Sequence, residues 1–118
     1  MSDFRKLSVY NKALEFVSAI YKATDKFPRD EQFALTSQLK RAASSVCCNI
    51  AEGNGRYHKK EFIQFLRIAL GSALECSSLL DIAIKLSFIS NSDYEILVEQ
   101  CSEIGKMLNG LINALSKN

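Results

Sequence analysis

The apolar residues of this chain recur at steps of three and four residues through four separate segments. In the third segment, Leu66, Ala69 and Ala73 follow this spacing without a break. The spacing is that of one face of an α-helix, and no segment shows the sustained alternation that is typical of a β-strand. The pattern therefore predicts a single all-α domain over residues 1–118. Its four helices are expected at about residues 8–25, 30–52, 58–87 and 92–116.

Short breaks separate the four predicted helices. The first contains Pro28, which disfavours helix at the residue before it, and Asp30 can cap the helix that follows. The second is the sequence Gly53-Asn54-Gly55, in which glycine is expected to end the helix. Because short connections place consecutive helices side by side in opposite directions, the sequence predicts an antiparallel, up-down-up-down four-helix bundle.

The third predicted helix has a second apolar stripe beside the first. A helix that is apolar over so wide an arc is expected to touch more than one neighbour. We therefore expect a single copy of the chain to leave apolar surface that another copy covers. The second stripe consists of Phe65, Ile68, Leu79, Ile82 and Leu86.

A row of polar side chains follows one face of the second predicted helix. One interpretation is an ordinary solvated face. The interpretation that we favour is a face buried at least partly against a neighbouring helix or another copy of the chain. Arg41 and Glu75 could then form a partly buried ion pair, within one chain or between copies. This polar ladder consists of Gln38, Arg41, Ser45, Asn49 and Glu52, with Glu75 on the third helix.

Composition and charge add a candidate binding surface. The chain is 47% hydrophobic and 24% charged, which is typical of a folded domain, and its net charge of +2 is too small to indicate a partner. The predicted topology nevertheless gathers basic residues at one end of the bundle. They are either solvated charges or a surface for phosphate backbones, with Tyr57 stacking on a base or packing over the turn. This basic cluster consists of Arg5, Lys6, Arg56, Tyr57, His58, Lys59 and Lys60.

No pattern in the sequence points to catalysis. Glu75 has no matched base or nucleophile on a shared face, and His58 is the only histidine. The sequence Gly53-Asn54-Gly55-Arg56 is similar to a phosphate-binding loop, but it follows a predicted helix rather than a strand. We therefore expect a protein that is not an enzyme and that has no metal site and no cofactor.

The four cysteines and the start of the chain bear on location. Cys47, Cys48, Cys76 and Cys101 have no metal-ligand spacing and lie inside helical patterns. The chain shows no secretory signal, and no apolar run approaches the roughly 20 residues of a membrane span. We expect a cytoplasmic protein without a membrane partner, whose reduced thiols pack as small core residues.

Three stretches of the sequence resemble those of a known family. They are FRKLSVYNKALEF, FPRDEQFALTSQLKRAASSVCCNIAEGNGR and EFIQFLRIALGSALE. The similarity is to the 23S ribosomal RNA intervening-sequence proteins, also called four-helix bundle proteins, and it covers about residues 4–115. Its most specific parts are Gln38 with Arg41-Ala42, Ser45, the run 49–53, and Gly71-Ser72 with Glu75. The accessory variability proteins of diversity-generating retroelements resemble the chain more distantly.

This resemblance implies a four-helix bundle that assembles into a ring-like homopentamer and has no enzymatic activity. The retroelement relatives use a basic surface to bind nucleic acid and assist a reverse transcriptase. By that resemblance, the expected partners are other copies of the chain, RNA or DNA, and another protein such as a nucleic-acid enzyme. The favoured function is a nucleic-acid-binding accessory protein. The alternative is a protein-protein interaction scaffold that binds no nucleic acid.

Overall fold

The computed structural model describes residues 3–117, and within them the protein is built from four α-helices. Two short 3-10 turns, Phe4–Lys6 and Arg29–Glu31, precede the first and second helices. The described residues contain no strand, so the expected all-α class is confirmed. The helices are α1 (Ser8–Thr24), α2 (Leu35–Asn54), α3 (Lys59–Lys85) and α4 (Asn91–Ser116).

The four helices pack as a four-helix bundle in which each helix contacts two others. Helices α1 and α2, α2 and α3, and α3 and α4 contact one another, and α1 and α4 close the arrangement. The pairs α1 with α3 and α2 with α4 make no such contact, so they occupy opposite corners of a square. The longest dimension of the molecule is 47 Å. A helix of the length of α3 spans about 40 Å, so the helices run along the long axis.

The core of the bundle is formed by the first apolar stripe of each helix. Burying one large apolar side chain stabilises a fold by about 1.5–3 kcal/mol, so these stripes contribute most of the favourable energy. The largest side chains with less than 2% exposure come from all four helices: Phe16, Ile20, Leu39, Ile50, Leu66, Leu80, Ile104 and Leu108.

The second apolar stripe of α3 is only partly covered within one chain. Leu79 is buried, but Ile68, Ile82 and Leu86 are 47%, 44% and 53% exposed. Leu74, on the outer side of the same helix, is 65% exposed. Contacts of α3 with α2 and α4 therefore cover only part of its wide apolar arc, and several of its large apolar side chains stay exposed.

Helix α2 begins later than the sequence pattern predicts. Asp30 does not cap it, because residues Arg29–Glu31 form a 3-10 turn instead. The amides of Glu31 and Gln32 bond to the carbonyl oxygens of Pro28 and Arg29, at 2.9 and 3.1 Å. Ala34 then leaves the helical region, with φ −122° and ψ −106°. The segment before Leu35 is thus a separate turn that directs Phe33 away from the bundle.

Gly53 serves close packing rather than helix termination. Helix α2 continues through it to Asn54, and no glycine in the described residues has a positive φ. A Cβ built at Gly53 would lie 2.6 Å from Cβ of Phe65 and 3.0 Å from Cδ1 of Phe62. The missing side chain lets the first turns of α3 approach the end of α2. Helix α2 still ends within Gly53-Asn54-Gly55, as expected, but its C-cap residue is Gly55 and not Gly53.

Three of the four free cysteines are core residues. Cys47, Cys76 and Cys101 are buried, and Sγ of Cys101 donates to the carbonyl oxygen of Ala73 at 3.0 Å. Burial raises the pKa of the Cys47 thiol to about 11 and that of Cys76 to about 12. Cys48 is exposed instead, because it lies one helical step from Cys47 and faces outward. The expectation that every cysteine packs in the core is wrong for Cys48.

We predict that Gly53→Ala destabilises the fold by about 1–3 kcal/mol, because the added methyl group overlaps Phe65. The matched control is Gly71→Ala in α3, where an added Cβ meets nothing within 4 Å. That change should stabilise the fold by up to about 1 kcal/mol through helix propensity. Urea unfolding followed by circular dichroism measures both. Equal effects of the two changes would contradict the role given to Gly53.

We predict that a thiol reagent at pH 8 labels Cys48 in the folded protein, while Cys47, Cys76 and Cys101 react only after unfolding. The buried thiols are inaccessible, and the thiolate is the reactive form. Mass spectrometry of labelled protein counts the labelled thiols, with Cys48→Ser as the control. Rapid native labelling of that variant would contradict the assignment.

The raised pKa values of the buried thiols also mean that these thiols ionise at lower pH in the unfolded state than in the folded state. The free energy of unfolding should therefore fall as the pH rises above about 8.5.

Candidate nucleic-acid interface

Five residues of the basic cluster are consecutive and span the connection between α2 and α3 and the start of α3. Residues Arg56–Lys60 are all exposed, and Tyr57 is 89% exposed. The ring of His58 lies edge-on to that of Tyr57, with 5.0 Å between the centroids. Helix α3 starts at Lys59, and no side chain caps its first amides. The loop therefore presents an aromatic ring among cations, beside the partial positive charge of a helix start.

Arg56 ties this loop to both helices. Its guanidinium lies 4.8 Å from the ring centroid of Phe65, and it donates to Oε2 of Glu52 at 2.8 Å. Phe65 is the residue that packs against Gly53. The close approach of α2 and α3 therefore fixes the position of Arg56, while Glu52 offsets part of its charge.

Arg5 and Lys6 lie in the 3-10 turn before α1. The side-chain amide of Asn11 donates to the carbonyl oxygens of Arg5 and Leu7, at 2.9 and 3.1 Å. The turn contacts α2 as well as α1. Arg5 is 3.4 Å from the carboxylate of Asp3. Both cations are exposed and attached to an ordered turn, although Arg5 has an acidic neighbour.

The free positive charge of the cluster is carried by lysines. Arg5 and Arg56 each have a carboxylate partner, whereas Lys6, Lys59 and Lys60 form no ion pair with any residue between 3 and 117. Exposed ion pairs contribute little to stability, but each one lowers the charge available to a phosphate. One copy of the chain therefore offers three unpaired cations in the cluster: Lys59 and Lys60 beside Tyr57, and Lys6 in the turn Phe4–Lys6.

The polar ladder lies on the surface of the single chain. Gln38, Arg41 and Glu52 are exposed, and Ser45 and Asn49 are half-buried. The hydroxyl groups of Ser45 and Ser72 are 2.9 Å apart and link α2 to α3. The side-chain amide of Asn49 donates to the carbonyl and hydroxyl oxygens of Ser45, at 2.8 and 3.0 Å. The centre of the ladder is thus half-buried and bonded to α3, while Gln38, Arg41 and Glu52 towards its ends are exposed.

Arg41 and Glu75 form no ion pair within the described chain. The guanidinium of Arg41 donates to the hydroxyl of Ser37, one turn earlier on the same helix. Glu75 is exposed on α3. An intramolecular Arg41–Glu75 pair is therefore wrong, because Arg41 turns along its own helix and does not cross to α3. Pairing between copies stays a prediction.

Sequence reasoning missed an aromatic groove that borders the polar ladder on α2. It measures about 640 Å³, and Tyr21, Phe33, Lys40 and Cys48 line it together with Arg41. Phe33 is 89% exposed and Tyr21 is 45% exposed. A signal was present: Phe33 lies off the apolar stripe that begins at Leu35, so its ring has no place in the core.

No group of three or more histidine, cysteine or acidic side chains between residues 3 and 117 is placed to hold a metal ion. Among the helices of that same range, none is both long and apolar enough to cross a membrane.

Comparison with solved structures gives a match over most of the chain. A crystal structure from Bacteroides thetaiotaomicron, described as a protein with unknown function from the S23 ribosomal protein family, is similar with a TM-score of 0.83. The two sequences are 29% identical, and the match covers 89% of this chain and 95% of that chain.

Comparison with curated proteins gives no match. Comparison with family models does give one. The family model described as 23S rRNA-intervening sequence protein matches residues 5–110, which include α1, α2, α3 and most of α4. The resemblance of the three sequence stretches is thereby confirmed. The chain belongs to the 23S rRNA-intervening sequence protein family.

Proposed function

We propose that this protein is a non-enzymatic, self-assembling four-helix bundle that binds RNA or DNA through the basic cluster. The observation that supports this proposal best is the loop between α2 and α3. There, a ring that is 89% exposed lies beside Lys59 and Lys60, which have no acidic partner among the described residues. An exposed ring can stack on any base, and lysines attract any phosphate, so we expect little sequence preference.

Antiparallel order of the helices is part of the proposal, since it brings both halves of the basic cluster to one end. Between α1 and α4, Lys12 pairs with Glu103 at 3.3 Å, and Lys26 pairs with Asp93 at 3.2 Å. Residue numbers thus rise along α1 while they fall along α4. The contacts of Ser45 with Ser72 and of Gly53 with Phe62 follow the same rule for α2 and α3.

Assembly into a ring-like homopentamer is the second part of the proposal. The outward-facing side chains Ile68, Leu74 and Ile82, and the exposed ends of the polar ladder, supply surface that a further copy can cover. Assembly also matters for binding, because one copy has only three unpaired lysines in the cluster. Several copies around a ring act together and bind one strand far more tightly than one copy does.

The second candidate is an interaction scaffold that binds a protein and no nucleic acid. The exposed Phe33 in its groove favours this candidate, since large apolar side chains on a surface mark protein contacts. A role as accessory to another protein, such as a nucleic-acid enzyme, belongs to the first candidate. Binding of nucleic acid therefore separates the two candidates.

We predict salt-dependent binding of nucleic acid by the assembled protein, with Lys59 and Lys60 contributing to it. The double change Lys59→Gln and Lys60→Gln should weaken binding to all sequences alike. It should also lower the slope of log affinity against log salt by up to about 1.8 per copy on duplex DNA, since each phosphate contact accounts for about 0.9. Fluorescence anisotropy from 50 to 200 mM salt (about the range in which such binding changes most) measures both.

A matched control removes the same number of positive charges from another part of the molecule. Lys22 and Lys85 lie in the last turns of α1 and α3, away from the cluster. Replacing both with glutamine should leave the slope unchanged. Absence of binding by the wild-type protein at low salt, or equal losses in the two double variants, would contradict the proposed function.

We predict that Tyr57→Ala weakens binding of single-stranded RNA by about 1–3 kcal/mol, because a base loses its stacking partner. Binding of duplex should change much less, since paired bases are not available for stacking. The exposure of Tyr57 means that the folded state should keep its stability. Titration of both substrates with both proteins gives the comparison, and an equal loss on duplex would argue against stacking.

A further inference from the structure

Phe33 is the most conspicuous apolar side chain outside the core. It lies between the 3-10 turn Arg29–Glu31 and the start of α2, and 89% of its surface is exposed. Tyr21 of α1 forms the opposite side of the groove, and Nζ of Lys40 lies 4.6 Å from the centroid of the Tyr21 ring. The groove thus combines two aromatic rings with cations. The Phe33 groove means here the surface formed by Tyr21, Phe33, Lys40 and Arg41.

The cations of this groove have no acidic partners. Lys40 contacts the Tyr21 ring, and Arg41 donates to the hydroxyl of Ser37. Neither forms an ion pair with a residue in the described part of the chain. The two halves of the chain have opposite charge balances. Residues 1–60, which include the groove, contain eleven Lys/Arg and six Asp/Glu, and residues 61–118 contain four Lys/Arg and seven Asp/Glu.

The start of α4 has the complementary character. Ile96 is 57% exposed, and Glu95 and Glu99, one helical turn apart, are exposed along one side of it. On its other side, toward α1, Ile96 lines a shallow groove with Lys22 and Lys26. Neither glutamate forms an ion pair within residues 3–117, whereas Glu103, further along α4, pairs with Lys12 at 3.3 Å. An exposed apolar side chain with two unpaired carboxylates along one side matches an exposed ring beside two unpaired cations.

The two surfaces cannot meet within one chain. Helices α2 and α4 occupy opposite corners of the square and do not contact each other. Both surfaces nevertheless lie at the same end of the bundle, because Lys26 after α1 pairs with Asp93 in the first turn of α4, and the turn after α1 leads directly into α2. A contact between them joins different patches of two copies. Such a heterologous contact generates a ring when its rotation closes.

We propose that the Phe33 groove binds the start of α4 of a second copy of this chain, with Phe33 against Ile96 and the two cations facing Glu95 and Glu99. This inference rests on the proposed self-assembly and names the surfaces that meet in it. A nucleic-acid strand would also suit a ring beside two cations. The second copy is favoured because the same chain displays a surface that matches the groove in both apolar character and charge.

The first test compares two aromatic residues that are equally exposed. Phe33→Ser should raise the concentration at which half of the protein is assembled by about 10- to 100-fold, as expected for a central aromatic anchor. Tyr57→Ser, at the same 89% exposure, should leave that concentration unchanged. Sedimentation velocity over a concentration series measures assembly. Circular dichroism should show equal melting of the two dissociated chains, since neither side chain is part of the core.

The second test reverses charges on the two surfaces. Lys40→Glu with Arg41→Glu should prevent assembly, and so should Glu95→Lys with Glu99→Lys. A chain with all four changes has both surfaces reversed, so it should assemble again. Restoration by the fourfold variant requires that these surfaces face each other and would not follow from two independent losses of stability.

Different outcomes would overturn the assignment of these surfaces and the proposed self-assembly on which it rests. A wild-type chain that stays a monomer at every concentration overturns the proposed self-assembly. A wild type that assembles, with Phe33→Ser and both charge reversals assembling equally well, overturns only the assignment of these surfaces. If Phe33→Ser leaves assembly intact and weakens RNA binding, the groove binds nucleic acid and the assignment to a second copy is wrong.

Discussion

The packing of α3 on α2 depends on the missing side chain at Gly53. The position that a Cβ would occupy is 2.6 Å from Phe65, a distance at which a methyl group and a phenylalanine side chain cannot coexist. This close approach sets where α3 begins, and Arg56 then lies over the ring of Phe65. The exposed residues Tyr57–Lys60 are therefore presented by a loop whose two ends are fixed by packing. A binding surface on such a loop loses little conformational freedom when a ligand binds.

The two ends of the bundle differ in physical character. One end has unpaired lysines and an exposed tyrosine in a tight loop, which suits a flexible polyanion of any sequence. The other end has an aromatic groove at one corner and an acidic start of α4 at the opposite corner, which suits a contact with a defined geometry. In the proposed contact between the Phe33 groove and the start of α4, copies join through the second end, and the first end then gains affinity from the number of copies.

The sequence predicted the helices and the core better than the surfaces. The spacing of three and four apolar residues reflects which helix face is buried. The first stripes predicted from it therefore coincide with the core, in which Leu39, Leu66 and Leu108 are fully buried. The start of α2 was missed, because Asp30 can bond within a 3-10 turn as easily as it can cap a helix. The prediction of an Arg41–Glu75 pair within the chain was wrong for another reason. Periodicity gives the face on which a long side chain starts, but not the direction in which it extends.

Part of the candidate site could be predicted from the sequence, and part could not. The cluster of Arg56–Lys60 was visible because its residues are consecutive, and no tertiary contact was needed to bring them together. The partial neutralisation of Arg5 by Asp3 and of Arg56 by Glu52 depends on side-chain conformation, and the sequence did not reveal it. The Phe33 groove needs α1 and α2 side by side. Only the fold shows that Tyr21 and Phe33 share it.

Cys48 has a consequence for how this molecule can be followed in solution. It is the exposed thiol among the four cysteines, and it lines the groove that contains Phe33. A polarity-sensitive dye joined to its sulfur would sit at the edge of that groove, while the other three sulfurs stay shielded by the bundle. Its emission would then change whenever water leaves the groove, so the natural chain already contains an attachment point for an optical reporter of what binds there.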